Sequence, residues 1–308
     1  MQFQASVYRG YLLKGDLPGA MAYLARFPEQ APLHEKFQAR FVREAYDAPA
    51  GNGLCNQLLL CYQRYYRDAF YLRLSREEAE ERLRAGLAEA LPGGEGLPLK
   101  ELEQGPVAEA FRQRGYRFLG GRTGGWYGPY IWTATEVKTY RVELPGGVRE
   151  YTVNLLDGFV SRSWLDYLSF GETGTGGWIG ADGVINCVRS AYDLDSEAFQ
   201  VSLLKHEAQH AMDLAVKPDL PSEDLEYRAK LVELIYSSRR NLAERFAREA
   251  DGGDRRNGHA AAAQRIMDGL SGLLGADAWE VPGLPAEQIQ AAAKTLFAES
   301  GRLLEPAP

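Results

Sequence analysis

The sequence predicts an α+β fold, with an antiparallel sheet in the middle of the chain and helices before and after it. Residues 3–91 carry apolar side chains at spacings of three and four, the periodicity of amphipathic helices. Between residues 133 and 155, two segments rich in Thr, Val and Tyr flank Pro145-Gly146-Gly147, which is typical of an antiparallel hairpin. From about residue 196 the pattern is helical again.

The first 92 residues are predicted to form a helical N-terminal region. Its helices are expected over residues 7–27, with a break at Gly15-Asp16, and over residues 33–47, 53–72 and 75–90. Ser75, followed by Glu78, gives the last of them a capping start. The Pro- and Gly-rich segment 91–98 is the clearest linker, so we place a domain boundary between 1–92 and 93–308. The N-terminal helices either bind a protein partner or form a wall of the second domain.

The elements after this boundary follow the order expected for an α+β domain. One helix is predicted over residues 99–114, a hairpin over 133–144 and 148–155, a shorter hairpin over 178–187, and helices over 196–216, 222–249, 257–273 and 285–304. The glycine-rich runs 120–126 and 171–178 lack the Gly-Lys-Ser/Thr sequence of a phosphate-binding loop. We therefore interpret both runs as loops that border a cleft.

Charge and composition exclude several classes of partner. The chain has 308 residues and a formal net charge of −7, whereas nucleic acids and anionic membranes are bound by basic surfaces. No run approaches the ~20 apolar residues that span a bilayer, and residues 1–9 lack the pattern of a secretory signal. The 3 cysteines form no Cys-x-x-Cys pair, which fits a reducing compartment. The sequence therefore predicts a soluble, cytoplasmic protein with no nucleic-acid or membrane partner.

The most informative stretch for chemistry is residues 201–213, which contains His206-Glu207-Ala208-Gln209-His210. On a helix, residues four apart lie one turn apart and about 40° around the axis, so both imidazoles can reach one metal ion. Glu207, beside the first histidine, can take the proton of an attacking water, so the pattern indicates zinc and a general base. Apolar residues at positions 201, 204, 208, 211 and 215 are expected to bury the back of this helix.

A catalytic zinc ion usually has three protein ligands, so a third is expected from the following helix. Its candidates are Glu223, Glu226 and Glu233, of which the last two share a face but lie ~10 Å apart along the axis. Ala229, one turn after Glu226, lets two helices approach closely, which favours Glu226 as the ligand. Acidic residues are also common in the first turns of helices, where they complement the helix dipole whether or not they bind a metal ion. The position of Glu226 near the start of its helix therefore has a second explanation, and Glu233 remains an alternative ligand.

These residues resemble the active-site helices of the zincin metallopeptidases. The motif at 206–210 is similar to the metal helix of that superfamily, and Glu226-Tyr227-Arg228-Ala229 resembles the Glu-x-x-Ala helix of its glutamate-liganded branch. The resemblance implies a zincin-like catalytic domain, a zinc cofactor and a peptide or protein substrate. It also implies an extended substrate along a sheet edge, for which residues 178–187 are the candidate. Thermolysin-like zincins place a histidine after the glutamate-bearing helix to stabilise the transition state, which implies that role for His259. The alternative is that Asn257 caps a helix and His259 lies exposed in its first turn.

One departure from that branch concerns the residue that braces a metal-binding histidine. Several members have an aspartate four residues after the ligand glutamate, where this chain has Lys230, and Asp213 can take the role instead. Cys187 is a further candidate ligand by analogy with peptide deformylases, but its sequence context differs from theirs, so a buried apolar role is favoured.

The predicted function is zinc-dependent hydrolysis of peptide bonds with Glu207 as the general base. The alternative is a non-catalytic helical interaction module with a structural or vestigial metal site. A structural site closes its fourth position with a protein ligand, whereas a catalytic site leaves that position to water.

Overall fold

The computed structural model of the chain describes residues 2–180, 182–238, 241–250 and 258–305. It confirms the α+β class, since helices occur together with small antiparallel sheets. In chain order, the α-helices are α1 (Ala5–Leu13), α2 (Leu17–Leu24), α3 (Ala31–Phe37), α4 (Gly53–Tyr66), α5 (Arg76–Ala90), α6 (Leu99–Leu102), α7 (Ala108–Arg112), α8 (Ser163–Leu168), α9 (Glu197–Phe199), α10 (His206–Val216), α11 (Ser222–Tyr236), α12 (Asn241–Glu249), α13 (Gly258–Leu274) and α14 (Ala286–Glu299). The strands are β1 (Arg117–Leu119), β2 (Arg122–Thr123), β3 (Trp126–Tyr127), β4 (Tyr130–Trp132), β5 (Ala134–Leu144), β6 (Gly147–Asp157), β7 (Ser161–Arg162), β8 (Gly177–Ile179) and β9 (Ile185–Val188). No helix of the described chain has both the length and the apolar character needed to cross a membrane.

The chain divides into two compact units, which we describe separately. The first unit comprises Met1–Ala134 and Leu156–Thr175, and the second comprises Thr135–Leu155 and Gly176–Pro308. The chain therefore does not divide at the predicted boundary between residues 92 and 93. The physical reason is that α6 and α7, which follow that boundary, contribute to the same hydrophobic core as α4 and α5.

Aromatic side chains fill the core of the first unit. Asn52 caps α4 by accepting hydrogen bonds from the backbone N–H groups of Leu54 and Cys55. The largest fully buried side chains of this unit include Tyr62, Tyr65, Tyr66, Phe37, Phe41 and Phe111. The strand order β1-β4-β7 explains why residues 156–175 return to this unit, since Ser161 on β7 pairs with Ile131 on β4.

The first unit also buries a carboxyl group, that of Glu103, which is 1 % exposed. One oxygen accepts a hydrogen bond from the Tyr62 hydroxyl at 2.8 Å, and the other accepts one from the Gly121 backbone N–H at 2.7 Å. Burial raises the pKa of Glu103 to about 7, although both hydrogen bonds act in the opposite direction.

A four-stranded sheet of order β5-β6-β9-β8 belongs to the second unit. The two predicted hairpins are confirmed: β5 and β6 are neighbours joined by Pro145-Gly146, and β8 pairs antiparallel with β9, with Trp178 opposite Asn186. Strand β8 therefore lies at the sheet edge. A Cβ atom at Gly177 would lie 2.4 Å from the Leu203 side chain, so this glycine lets the edge approach the segment that leads into α10.

The helix that carries the histidines begins and ends where the sequence predicts. Ser196 accepts a hydrogen bond from the Phe199 backbone N–H and caps α9, and a π-helical segment, Gln200–Lys205, continues into α10. Helix α10 ends at Val216, directly before Lys217-Pro218.

The single helix predicted over residues 222–249 is wrong, because α11 ends at Tyr236 and residues 237 and 238 are not helical. Ser237 has an extended backbone (φ −78°, ψ 134°). The Glu197 carboxylate accepts a hydrogen bond from the Ser237 hydroxyl at 2.5 Å and another from the Ser238 N–H at 3.2 Å. This partner, 40 residues away, holds the chain out of the helix. Asn257, the predicted cap of α13, lies outside the described residues.

Candidate metal centre

His206 and His210 lie one turn apart on α10, which packs against α11 in the second unit. Apolar residues of this segment, including Leu203, Leu204 and Ala208, are buried in a core that also contains strand residues of the sheet. Their burial anchors one side of the segment and leaves both imidazoles directed toward α11, where each histidine is 7 % exposed.

Glu226 on α11 completes a cluster of three donors. The two Nε2 atoms of His206 and His210 are 3.0 Å apart, and the two rings are nearly perpendicular. One oxygen of Glu226 lies 3.4 Å from His206 Nε2, and the other lies 3.5 Å from His210 Nε2. One ligand atom from each residue lies within 4.8 Å of the other two, and this is the one such group among the described residues. These three side chains can hold a metal ion.

The cluster places the His206 imidazole, which is favoured in its positive form, beside the buried carboxylate of Glu226. Burial alone would lower the pKa of His206, but its interactions with Glu226 and Glu233 raise it to about 10. Burial alone would raise the pKa of Glu226, but three neighbouring histidines hold it well below its usual range. The ionised carboxylate of Glu226 can bind a cation directly, whereas the His206 imidazole must release a proton before it can bind a metal ion.

Glu233 contacts His206 from the other edge of the ring. Its Oε1 lies 2.8 Å from His206 Nδ1, and its Oε2 accepts a hydrogen bond from Arg245 at 2.8 Å. Glu233 is thus placed as a brace of the imidazole and not with the three donor atoms. Asp213, considered for that brace in the sequence, instead pairs with Arg228 at 2.8 Å and accepts a hydrogen bond from Gln209.

The other residues considered in the sequence are Glu207, His259, Cys187 and Lys230. Glu207, half-buried, follows His206 directly on α10. The Nδ1 atom of His259, at the start of α13, lies 2.9 Å from Glu226 Oε2. Cys187 is fully buried in the sheet core, and burial raises the pKa of its thiol to about 12, so a thiolate ligand is disfavoured. Lys230 pairs with Glu249.

Arg245 is the site residue that sequence reasoning missed. It lies on α12, beyond the end of α11, and no spacing rule connects it with the motif on α10. For Glu233 a signal exists, because it follows Glu226 by two helical turns and shares its face. That spacing places it beside the cluster without distinguishing a ligand from a brace.

Comparisons of this chain with protein-family models, with curated proteins and with solved structures found no match.

Proposed function

We propose that this chain is a zinc-dependent metallopeptidase that hydrolyses peptide bonds at the site formed by His206, His210 and Glu226. The observation that carries the proposal is the convergence of these donors beside Glu207, because a metal ion and a general base are the parts that such hydrolysis needs. On this proposal, the second unit is a zincin-like catalytic domain, and its substrate is a peptide or protein.

The donor set fits zinc in its chemistry and in its spacing. Zinc binds imidazole nitrogen and carboxylate oxygen in a tetrahedral arrangement, at about 2.0–2.2 Å. Such bonds set neighbouring donors about 3.3 Å apart, and the contacts between these side chains measure 3.0, 3.4 and 3.5 Å. Glu226 Oε2 is buried, and its contacts with His259 Nδ1 at 2.9 Å and His206 Nε2 at 3.4 Å lack hydrogen-bond geometry, so a cation would satisfy it.

The proposed chemistry assigns one task to each side chain near the donors. Zinc, when bound, polarises the peptide carbonyl and lowers the pKa of water. Glu207 takes the proton of the attacking water and passes it to the leaving amine. Glu233, held by Arg245, fixes the orientation of His206. His259 donates a hydrogen bond to the carbonyl oxygen as it becomes negative.

The position of β8 supports an extended peptide as the substrate. Strand β8 is the edge of its sheet, and it packs against α10. An extended peptide can add to an edge strand by main-chain hydrogen bonds. A peptide bound along β8 would therefore lie beside the helix that carries Glu207.

One observation favours a second candidate, a non-catalytic protein with a structural metal site. His259 Nδ1 lies close enough to Glu226 to serve as a fourth ligand, and four protein ligands close a zinc site. The side chain of His259 is 56 % exposed, however, which leaves the ring accessible to a substrate. This exposure favours the catalytic proposal.

The test combines metal content with hydrolysis. Protein expressed with added zinc should carry about one zinc ion per chain, cleave members of a peptide library, lose cleavage on chelation and recover it when zinc is restored. Glu223→Gln changes an exposed carboxylate at the start of α11 and should leave both properties unchanged. Stoichiometric zinc without cleavage of any peptide would support the structural site, and absence of zinc from protein given excess metal would contradict both candidates.

A further inference from the structure

A small polar cavity lies inside the first unit, between α4, β7 and α8. Its volume is about 60 Å³, room for about two water molecules. Five of its lining residues carry a hydroxyl group: Tyr62, Tyr66, Tyr167, Ser161 and Ser163. An interior cavity with this lining differs from the apolar voids left by imperfect packing, because its surface offers hydrogen bonds in several directions.

Two of these hydroxyl groups have no hydrogen-bond partner within the described chain. Ser163 is 3 % exposed and Tyr66 is 2 % exposed, and both hydroxyl oxygens are buried. Buried polar groups are almost always satisfied in folded proteins, so each such group needs an explanation. Two of them belong to residues that line one cavity, where they can bond to a polar ligand.

The backbone around Ser163 is built to hold its hydroxyl in this position. Ser163 lies where β7 ends and α8 begins. Its φ is +69°, a backbone conformation that residues other than glycine rarely adopt. Gly128 lies against it, since a Cβ atom there would be 2.6 Å from Ser163 Oγ. Phe170, which lines the adjoining cleft, has φ +55°. Strained residues of this kind collect at binding sites.

The cavity adjoins a larger open cleft of about 840 Å³. Four residues line both spaces: Gln63, Val160, Asp166 and Tyr167. Arg40 forms part of the cleft wall, with its guanidinium 4.3 Å from the Tyr167 ring centre and 4.1 Å from that of Phe170. A ligand can therefore place a small end in the cavity and a larger body in the cleft.

The charges on the wall favour a neutral ligand. Asp166 pairs with Arg162 at 2.7 Å, so an anion would meet the carboxylate and a cation would meet the guanidinium. Gln63 is already used, because its amide bonds both backbone groups of Asp47 and accepts from the Tyr167 hydroxyl. On the wall of the small cavity, the groups left for a ligand are hydroxyls, which both donate and accept.

We propose that this cavity and its adjoining cleft bind a neutral polyhydroxylated small molecule, a sugar or a polyol, with one of its hydroxyl groups held by Ser163 and Tyr66. This site is separate in sequence and in chemistry from the candidate metal centre, so its test does not depend on zinc or on hydrolysis.

The test measures binding of glycerol, D-ribose, D-glucose and myo-inositol to the full chain by calorimetry and ligand-observed NMR. At least one compound should bind with a Kd of about 1 mM or tighter. Tyr66→Phe and Ser163→Ala should each weaken that binding by about three- to tenfold, the usual effect of one hydrogen bond. Tyr8→Phe is the matched control, because the Tyr8 hydroxyl is also buried without a hydrogen-bond partner in the described chain but Tyr8 does not line the cavity. This variant should bind the ligand as tightly as the wild type does.

The preference for a neutral ligand is tested with D-gluconate and D-glucosamine, which should bind at least about tenfold more weakly than D-glucose. Loss of an unpartnered hydroxyl should leave the melting temperature of Tyr66→Phe close to that of the wild type, so weaker binding cannot be attributed to unfolding. The proposal is overturned if none of the neutral compounds binds, if both cavity variants bind as the wild type does, or if the charged analogues bind as tightly as D-glucose. In the first case the cavity holds water alone.

Discussion

Glu233 Oε1 lies 2.8 Å from His206 Nδ1, while the Nε2 atom of the same ring faces His210. A carboxylate at Nδ1 favours the tautomer with its proton on that nitrogen, which leaves the Nε2 lone pair free for a metal ion. Arg245 in turn holds the second oxygen of Glu233. Under the proposed function, α11 therefore supplies both a metal ligand, Glu226, and a carboxylate that orients His206, Glu233.

The first prediction ranks these two carboxylates by their effect on zinc affinity. Glu233→Ala should weaken zinc binding by about 10- to 100-fold, the usual effect of losing a residue that orients a metal-binding histidine. Glu226→Ala removes a donor and should weaken it considerably further. Competition with a chromophoric chelator measures both, with Glu223→Ala as the control from the exposed first turn of α11. A reversed order would make Glu233 the ligand.

The second prediction concerns Glu207. Glu207→Gln keeps the shape of the side chain but cannot accept a proton, so hydrolysis should fall by at least about 10²-fold while zinc remains bound. Single-turnover cleavage and elemental analysis of the same preparation provide the two measurements. Turnover equal to that of the wild type would remove Glu207 from the mechanism, and loss of zinc would show that the substitution had disturbed α10 instead.

Local features of the chain were predicted well because short-range physics determines them. Ser75 accepts a hydrogen bond from the Glu78 N–H at the start of α5, and Ser196 accepts one from the Phe199 N–H at the start of α9. The pairing of β8 with β9 follows from alternation and turn residues in one short segment. The approach of His206 to His210 likewise needs only the pitch of a helix.

Features that depend on distant partners were not predictable from the sequence. The break after α11 requires Glu197, and the brace of His206 requires Arg245 on a helix that the sequence had merged with α11. The division into two units depends on β7 returning to pair with β4, which no linker composition signals. In each case a contact across many residues of chain outweighs the local preference.

The third prediction concerns pH and Glu103, whose carboxyl is buried in the first unit with a pKa raised to about 7 from 4.5. Because the folded state binds this proton more tightly than the unfolded state, the stabilisation is complete below about pH 4.5 and is lost as the pH rises through about 7. Glu103→Gln should mimic the protonated form, with its amide donating to the Tyr62 oxygen and accepting from the Gly121 N–H.

The free energy of unfolding should therefore decline with pH in the wild type relative to this variant, by up to about 3 kcal/mol between pH 4.5 and 7. Urea denaturation at several pH values measures the difference. Glu101→Gln, an exposed carboxylate two residues away, should follow the wild type throughout. Parallel pH profiles for the wild type and Glu103→Gln would show that Glu103 does not titrate in this range.

The last prediction distinguishes the two tasks open to His259. Its Nδ1 atom lies 2.9 Å from Glu226 Oε2, and its side chain is 56 % exposed, so it can contact both the metal ligand set and a substrate. If it donates to the carbonyl oxygen in the transition state, His259→Ala should keep zinc and lower kcat by about 10²- to 10³-fold. His259→Gln should restore part of that activity, because its amide can donate a hydrogen bond. Zinc loss in both variants, with no change in the kcat of molecules that retain zinc, would instead make His259 a metal ligand.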